Sequence, residues 1–231
     1  TVPTASWWTI PDDDRFVIAD ERLSLSLRFD QDLGRDWGLA GKVGYDLYKY
    51  DGEYPYADET LPGGSYLAVD DVQGQRWGTD WRLTKTLADR HRLSLGVECV
   101  DDFQLDQEYW DPGLGDFRSY EDRWWVEAYA QAEIEVRTNL LLNLGGRYGY
   151  NSQFGATGHP RLALVYQPVS EATLKLLYGS AYRAPNVYEL YYTVTPGNVP
   201  NPDLEPEEIT TYEFVYEQAL PWEVRFSSSL Y

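Results

Sequence analysis

Three observations predict an all-β protein, an antiparallel up-and-down transmembrane β-barrel wall of about ten strands. Apolar residues recur at every second position through most of the chain, which is the strand period rather than the helical one. Short and long connections alternate between these segments, as an up-and-down sheet requires. Tryptophan and tyrosine gather near the ends of the apolar rows, at Trp37, Trp77, Trp124, Tyr148, Tyr150 and Trp222, where an interfacial girdle would lie.

Each strand follows from its own alternation. The first sets Leu23, Leu25, Leu27 and Phe29 against Arg22, Ser24, Ser26 and Arg28, and a short connection over 30–36 follows. The second sets Trp37, Leu39, Val43, Tyr45 and Leu47 against Lys42 and Asp46, and a long connection over 49–74 follows. The third turns Trp77, Trp81 and Leu83 away from Arg76, Asp80 and Arg82, and a short turn over 87–91 ends it. The fourth turns Leu93, Leu95, Val97 and Cys99 away from Arg92, Ser94 and Glu98, before a long connection over 108–122. The fifth has Trp124, Val126, Ala128, Ala130, Ala132, Ile134 and Val136 on one face, and Trp125, Glu127, Tyr129, Gln131, Glu133, Glu135 and Arg137 on the other. After a turn at 137–139, the sixth sets Leu140, Leu142, Leu144, Tyr148 and Tyr150 against Asn143, Arg147 and Asn151, before a long connection over 151–159. The seventh (Leu162, Leu164, Tyr166) and eighth (Leu174, Leu176, Tyr178) are joined by a short turn, with Leu177 breaking the alternation. A long connection over 183–207 leads to the ninth, with Tyr212, Phe214 and Tyr216 opposing Glu213 and Glu217. The tenth is read as Trp222, Val224, Phe226 and Leu230 opposing Glu223, Arg225, Ser227 and Ser229. Alternation alone does not say which face is inside. Charges of both signs on the polar face suit a wide wet lumen, and strands of ten or more residues match a tilted crossing of a bilayer.

Composition closes off other classes. The 231 residues carry 38 acids against 19 bases, a net charge of −19 that argues against a nucleic-acid partner. One cysteine rules out a disulfide framework, and two histidines with it make no standard structural zinc site. No run of 18 apolar residues is present, so no helical membrane span is expected. The chain opens on Thr1-Val2-Pro3 and is expected to be an internal piece of a longer protein or a trimmed mature chain. His91, at a turn, and His159, at a strand start, fall at opposite ends of the sheet with no third group beside them, so no catalysis is expected.

The negative charge is concentrated. The N-terminal stretch to Glu21 and the connections 49–74, 108–122 and 183–207 hold 20 acids and only four bases, Arg15, Lys49, Arg118 and Arg183. These are expected to lie on one rim. Clustered carboxylates suit calcium, with Asp70, Asp71, Asp111 and Asp116 as candidate ligands, although no EF-hand spacing occurs. The rim charge disfavours a strongly anionic ligand. Tyr109, Trp110, Tyr188, Tyr191 and Tyr192 are candidate ligand-binding residues, since aromatic loop side chains give large contact area at low entropy cost.

One pair of boxes is more specific. Tyr182-Arg183-Ala184-Pro185 is followed, after a loop, by Asn201-Pro202-Asp203-Leu204-Glu205-Pro206-Glu207 and then by a strand containing Tyr212-Glu213. Prolines at 185, 196, 200, 202 and 206 remove ladder donors, ending one strand and delaying the next. Arg183 is expected to pin the loop to a carboxylate on the inner wall or on a plug. Both boxes, in this order, resemble those of TonB-dependent outer-membrane receptors, and the strand rhythm extends the resemblance over nearly the whole chain. The resemblance implies a 22-stranded barrel in the bacterial outer membrane, of which residues 1–231 are a section. It also implies an N-terminal plug and further strands outside this chain, and partners in TonB, outer-membrane lipid and lipopolysaccharide. The implied function is uptake of a scarce nutrient, a ferric siderophore first and cobalamin second. No histidine stands between the boxes, which disfavours haem. A passive porin and a soluble β-sheet binding module are the competing readings.

Overall fold

The structure, a computed structural model, describes residues 8–193 and 199–231. Pro196 therefore lies outside the described residues. Ten strands form one sheet in sequence order: β1 (Val17–Gly34), β2 (Trp37–Ala57), β3 (Ser65–Leu87), β4 (His91–Trp110), β5 (Phe117–Arg137), β6 (Leu140–Asn151), β7 (Gly155–Val169), β8 (Ala172–Arg183), β9 (Glu207–Ala219) and β10 (Arg225–Leu230). Every neighbouring pair is antiparallel. One short helix, α1 (Val187–Tyr191), stands between β8 and β9. The up-and-down architecture is as the alternation predicts, and β1 and β10 are the outer edges of the sheet.

The register carries the face assignment. Leu39, Leu83, Leu95 and Ala130 share one cross-strand row, and Tyr45 pairs Trp77. These rows are open to the outside: Leu27 is 75% and Leu95 57% exposed. The opposite face holds polar ladders, including Ser24 Oγ donating to Asp46 (2.6 Å) and Lys175 Nζ to Glu217 (2.9 Å). That face is concave. Tyr182 on β8 reaches Glu127 on β5 at 2.9 Å, although three strand spacings are about 14 Å in a flat sheet. A soluble sandwich would bury the apolar rows between two layers. Here a single layer leaves them outside, as a wall facing hydrocarbon requires.

Several expected boundaries are corrected. β1 to β5 run 18 to 23 residues, so most of the expected 49–74 connection is strand, with only 58–64 joining β2 to β3. The 108–122 connection shrinks likewise to 111–116, and 151–159 to 152–154. The alternation persists beyond the hydrocarbon zone, but acids replace apolar residues on the outer row there. Asp51 pairs Asp71, and Asp71 pairs Glu108. Loss of the greasy row reads as loss of the strand. For the same reason the Trp77 and Trp124 girdle sits in mid-strand, not at strand ends. At the other end the turns are tight. Arg35 and Asp36 both have positive φ, which matches the twist of the flanking strands. Trp222 and Glu223 also have positive φ (62° and 61°), so they form the β9–β10 turn, and β10 begins at Arg225.

Candidate functional site

The connection after β8 folds over the polar face, and its geometry begins one strand earlier. Pairing of β7 with β8 stops at Arg161 and Gly179, beside Pro160, which has no amide hydrogen to give. Above that point β8 leaves β7, and Ser180 and Tyr182 reach the inner wall. Tyr182 donates to Glu127 and stacks on His159, with ring centroids 4.9 Å apart. Pro185 is buried, and its carbonyl accepts from Arg123 Nη1 at 3.1 Å.

Arg183 closes the loop on itself. Its guanidinium donates to Glu189 (3.0 and 3.1 Å) and to Glu207 (3.1 and 2.7 Å). The first box is thus stapled to the last residue of the second, through α1. Asn186 caps α1 by accepting from the Glu189 amide while the Glu189 carboxylate accepts from the Asn186 amide, a reciprocal capping box. The Arg183 guanidinium and the Asn186 amide hold the Glu189 carboxyl below its ordinary range. The carboxylates that Arg183 holds are those of α1 and of the first residue of β9, not one on the inner wall as expected, because both stand within reach of the strand end that carries it. Asn201 accepts from the Leu204 amide at 3.2 Å, turning the chain before Pro206 and β9, and Asn201, Pro202 and Leu204 are exposed. Ala184 lines the cleft described below. Replacing Arg183 with alanine is expected to speed amide exchange across Val187–Tyr191 about fivefold, and lysine to restore only part of the protection, because an ammonium cannot fork to two carboxylates. Hydrogen exchange read by mass spectrometry checks this, and unchanged protection in the alanine variant contradicts it.

The candidate aromatic residues separate. Tyr109 and Tyr192 are buried with Tyr54 and Ala68 in a rim cluster flanked by Phe16, Tyr56, Tyr66 and Phe117. Tyr188 stacks on Tyr192 (4.4 Å) and is half exposed. Trp110, the next residue after Tyr109, points to the other face of β4, and Tyr191 ends α1. Burial pushes the Tyr109 and Tyr192 phenols up, so both stay protonated.

The four candidate calcium ligands do not come together as one group, although Asp71 and Asp116 border the same small cleft. Asp111 accepts from the Gly113 and Leu114 amides and the Tyr109 hydroxyl, which makes it the brace of its turn. Asp70 and Asp71 are successive strand residues on opposite faces of β3, and Asp116 stands just ahead of β5. Among the described residues no group of three or more His, Cys, Asp or Glu could hold a metal ion. Asp70 has a different property. Its Oδ1 is buried without a hydrogen-bond partner beneath the rim cluster, and burial, then the Asp71 charge, pushes its pKa up to about 6. A carboxyl raised above its unfolded value of about 4 adds stability below pH 4, and that stability is lost as pH rises through 6. The rim cluster is therefore expected to loosen between pH 4 and 6. Asp70→Asn should flatten that dependence and tighten the cluster at pH 7, as read by tyrosine fluorescence or amide exchange. An unchanged pH profile in the variant contradicts this.

Two charge assemblies on the inner wall escaped the sequence reading. Asp102 is 1% exposed and is gripped by Arg76 and by Arg123 (Nε to Oδ2, 2.6 Å), with both guanidiniums over the Trp125 ring. Glu127, 4% exposed, accepts from Arg147 (2.5 Å) and Tyr182, and Arg147 also reaches Glu98 at 3.3 Å. Glu98, Arg123, Trp125, Glu127 and Arg147 border a cleft of about 410 Å³ with His159 and Ala184. His159 thus lies inside β7 on the wall, not at a strand start. The available signal was parity: Arg76, Arg123, Glu127 and Arg147 all stand on polar rows of neighbouring strands.

Comparison with known proteins agrees with this geometry. The β-barrel family described as TonB dependent receptor-like matches residues 2–231. The vitamin B12 transporter BtuB of Vibrio cholerae serotype O1 is 25% identical over 213 residues, covering 78% of this chain and 34% of that protein. BtuB of Photobacterium profundum is 24% identical over 196 residues, covering 81% and 30%. The chain therefore spans about a third of the length of the curated relatives it matches. In fold it resembles a mutant of the ferric enterobactin receptor PfeA from Pseudomonas aeruginosa (TM-score 0.69, 17% identity, 88% of this chain and 33% of that one). It also resembles the siderophore receptor PirA from Acinetobacter baumannii (TM-score 0.69, 19% identity, 92% and 34%). With the match running from end to end and the sheet, faces and paired boxes all in place, the chain belongs to the TonB-dependent receptor family, in its β-barrel domain.

Proposed function

We propose that this chain is a wall section of an outer-membrane receptor that imports a scarce nutrient with energy delivered through TonB. Its family is one of outer-membrane transporters and receptors, not enzymes. The observation that carries the reading is the box-bearing loop, stapled by Arg183 and seated on the inner wall through Tyr182 and Pro185. A passive pore has no need of a loop closed on itself and tied to its wall at two points. In the whole protein a plug and further strands complete the barrel, outer-membrane lipid and lipopolysaccharide contact its outside, and TonB engages it from within.

Cobalamin is the first ligand to test and a ferric siderophore the second, which reverses the order given by the sequence. The relatives matched by sequence are vitamin B12 transporters. The siderophore receptors are matched by fold alone, which carries no information about ligand. The test is titration of the full-length receptor in detergent with cyanocobalamin, with a ferric catecholate siderophore as the second arm, alongside conductance in planar bilayers. Saturable binding of either ligand with little open-pore conductance is expected. Steady ligand-independent conductance without binding would favour the porin.

A further inference from the structure

Arg161 is one of several polar-row cations, with Arg22, Arg28, Lys42, Arg82 and Arg92, that have no carboxylate partner among the described residues. Arg161 occupies the cross-strand row Gln131, Gly145, Arg161, Gly179, Thr211 on β5 to β9. No carboxylate among the described residues lies within 4.0 Å of its guanidinium, while Arg76, Arg123 and Arg147 on the same wall are all paired. Glycines flank it on both sides. At Gly96 and Gly149, elsewhere on this face, the space left by the missing side chain is filled by the Tyr129 ring and the Glu127 side chain. At Gly179 a Cβ would meet only Arg161 Cγ, at 3.8 Å, so the gap beside the Arg161 side chain stays open. It opens into a cleft of about 940 Å³.

A second, separate group points to the same place. His159, two residues along on the same face, is 8% exposed, and its Nε2 is buried with no hydrogen-bond partner. Its Nδ1 lies 3.3 Å from Ser180 Oγ. When the Ser180 hydroxyl donates to Nδ1, the ring proton sits on Nε2 and needs an acceptor. A buried donor without an acceptor is costly, and an unpaired guanidinium is a fork built for two oxygens. Same-face neighbours on a strand are about 7 Å apart, a gap that one carboxylate bridges with an oxygen toward each.

We propose that Arg161 and His159 form a carboxylate-binding site on the inner wall. The charge of the surroundings selects the anion. Glu133 and Glu213 line the same cleft and Glu127 and Glu98 lie just above, with Arg147 already shared between the last two. That field tolerates a single negative charge and repels a doubly charged phosphate. The carboxylate belongs either to an Asp or Glu of a segment of the whole protein lying against the wall, or to a free ligand in the lumen.

The full-length receptor in detergent separates these sources. Wild type, Arg161→Gln and Arg161→Lys are compared by thermal unfolding and by saturation-transfer NMR with butyrate as the free carboxylate. A side-chain carboxylate predicts that Arg161→Gln lowers the unfolding midpoint by about 2 °C or more and that wild type ignores butyrate. A free-ligand site predicts an unchanged midpoint, butyrate binding by wild type, and binding at least about tenfold weaker in Arg161→Gln. Arg161→Lys falls between wild type and Arg161→Gln in either case, because it keeps the charge and loses the fork. Should Arg161→Gln fail to fold, the lysine variant decides by itself: a lowered midpoint or weakened butyrate binding supports the site. Variants matching wild type in both readouts overturn the proposal, and so does tighter binding of inorganic phosphate than of butyrate.

Discussion

Asp102→Asn is expected to destabilise the barrel by about 3 kcal/mol, measured as urea unfolding from lipid vesicles. The carboxylate is almost wholly enclosed and answers two guanidiniums at once. Removing its charge leaves Arg123, only 15% exposed, without its partner beside the face of Trp125. Arg76 is 41% exposed, so water relieves part of its loss, which keeps the figure toward the lower end for a broken buried pair. The cost is a broken-pair cost and not the net worth of the triad. Replacing Asp102, Arg76 and Arg123 together with leucine is therefore expected to cost far less than the single change. The same substitution should reach the loop, because Arg123 also donates to the Pro185 carbonyl. Faster amide exchange in α1 is expected alongside the lost stability. A loss under about 0.5 kcal/mol would mean that water reaches and screens the triad, and would contradict the expectation.

The loop and the wall are parts of one connected set. Tyr182 is bound to Glu127, Arg183 to Glu189 and Glu207, and Pro185 to Arg123. Glu127 is shared with Arg147, which reaches Glu98 on β4. Three residues of the first box, Tyr182, Arg183 and Pro185, thus tie the connection to β5 and to Glu207 at the start of β9.

How far the sequence spoke depended on whether a feature repeats. Strand identity, antiparallel order and the direction of each face follow from period-two rows such as Leu93, Leu95 and Val97, because every row repeats the evidence of the last. Strand length did not follow. Asp51, Asp71 and Glu108 occupy the outer rows above the girdle, and a charged outer row in water resembles a loop. Trp222 kept strand parity while its positive φ placed it in a turn. In the candidate site, the two boxes were legible as local strings. The helix between them had its own signal in Asn186 and Glu189, three residues apart, the spacing of a capping box. The partners of Asp102 and Glu127 were not legible, because they come from other strands and depend on register and on the bulge near Asp102. Pro160 marked where β8 would leave β7, a consequence visible only with the register in hand.

The account stands on one orientation, apolar rows toward lipid and polar rows toward the lumen, and adjacent residues on β4 test it. Leu95 lies on the outer row, between Leu83 and Ala130, well inside the Trp77 and Trp124 girdle, and Ser94 lies on the polar row opposite Gln131. Arginine at a lipid-facing midplane position costs about 2–4 kcal/mol, whereas the wet lumen tolerates it. Reversible unfolding of the full-length receptor from vesicles should show Leu95→Arg destabilised by that amount and Ser94→Arg within about 1 kcal/mol of wild type. The reverse order, with Ser94→Arg the damaging change and Leu95→Arg neutral, would turn the wall inside out and contradict the account.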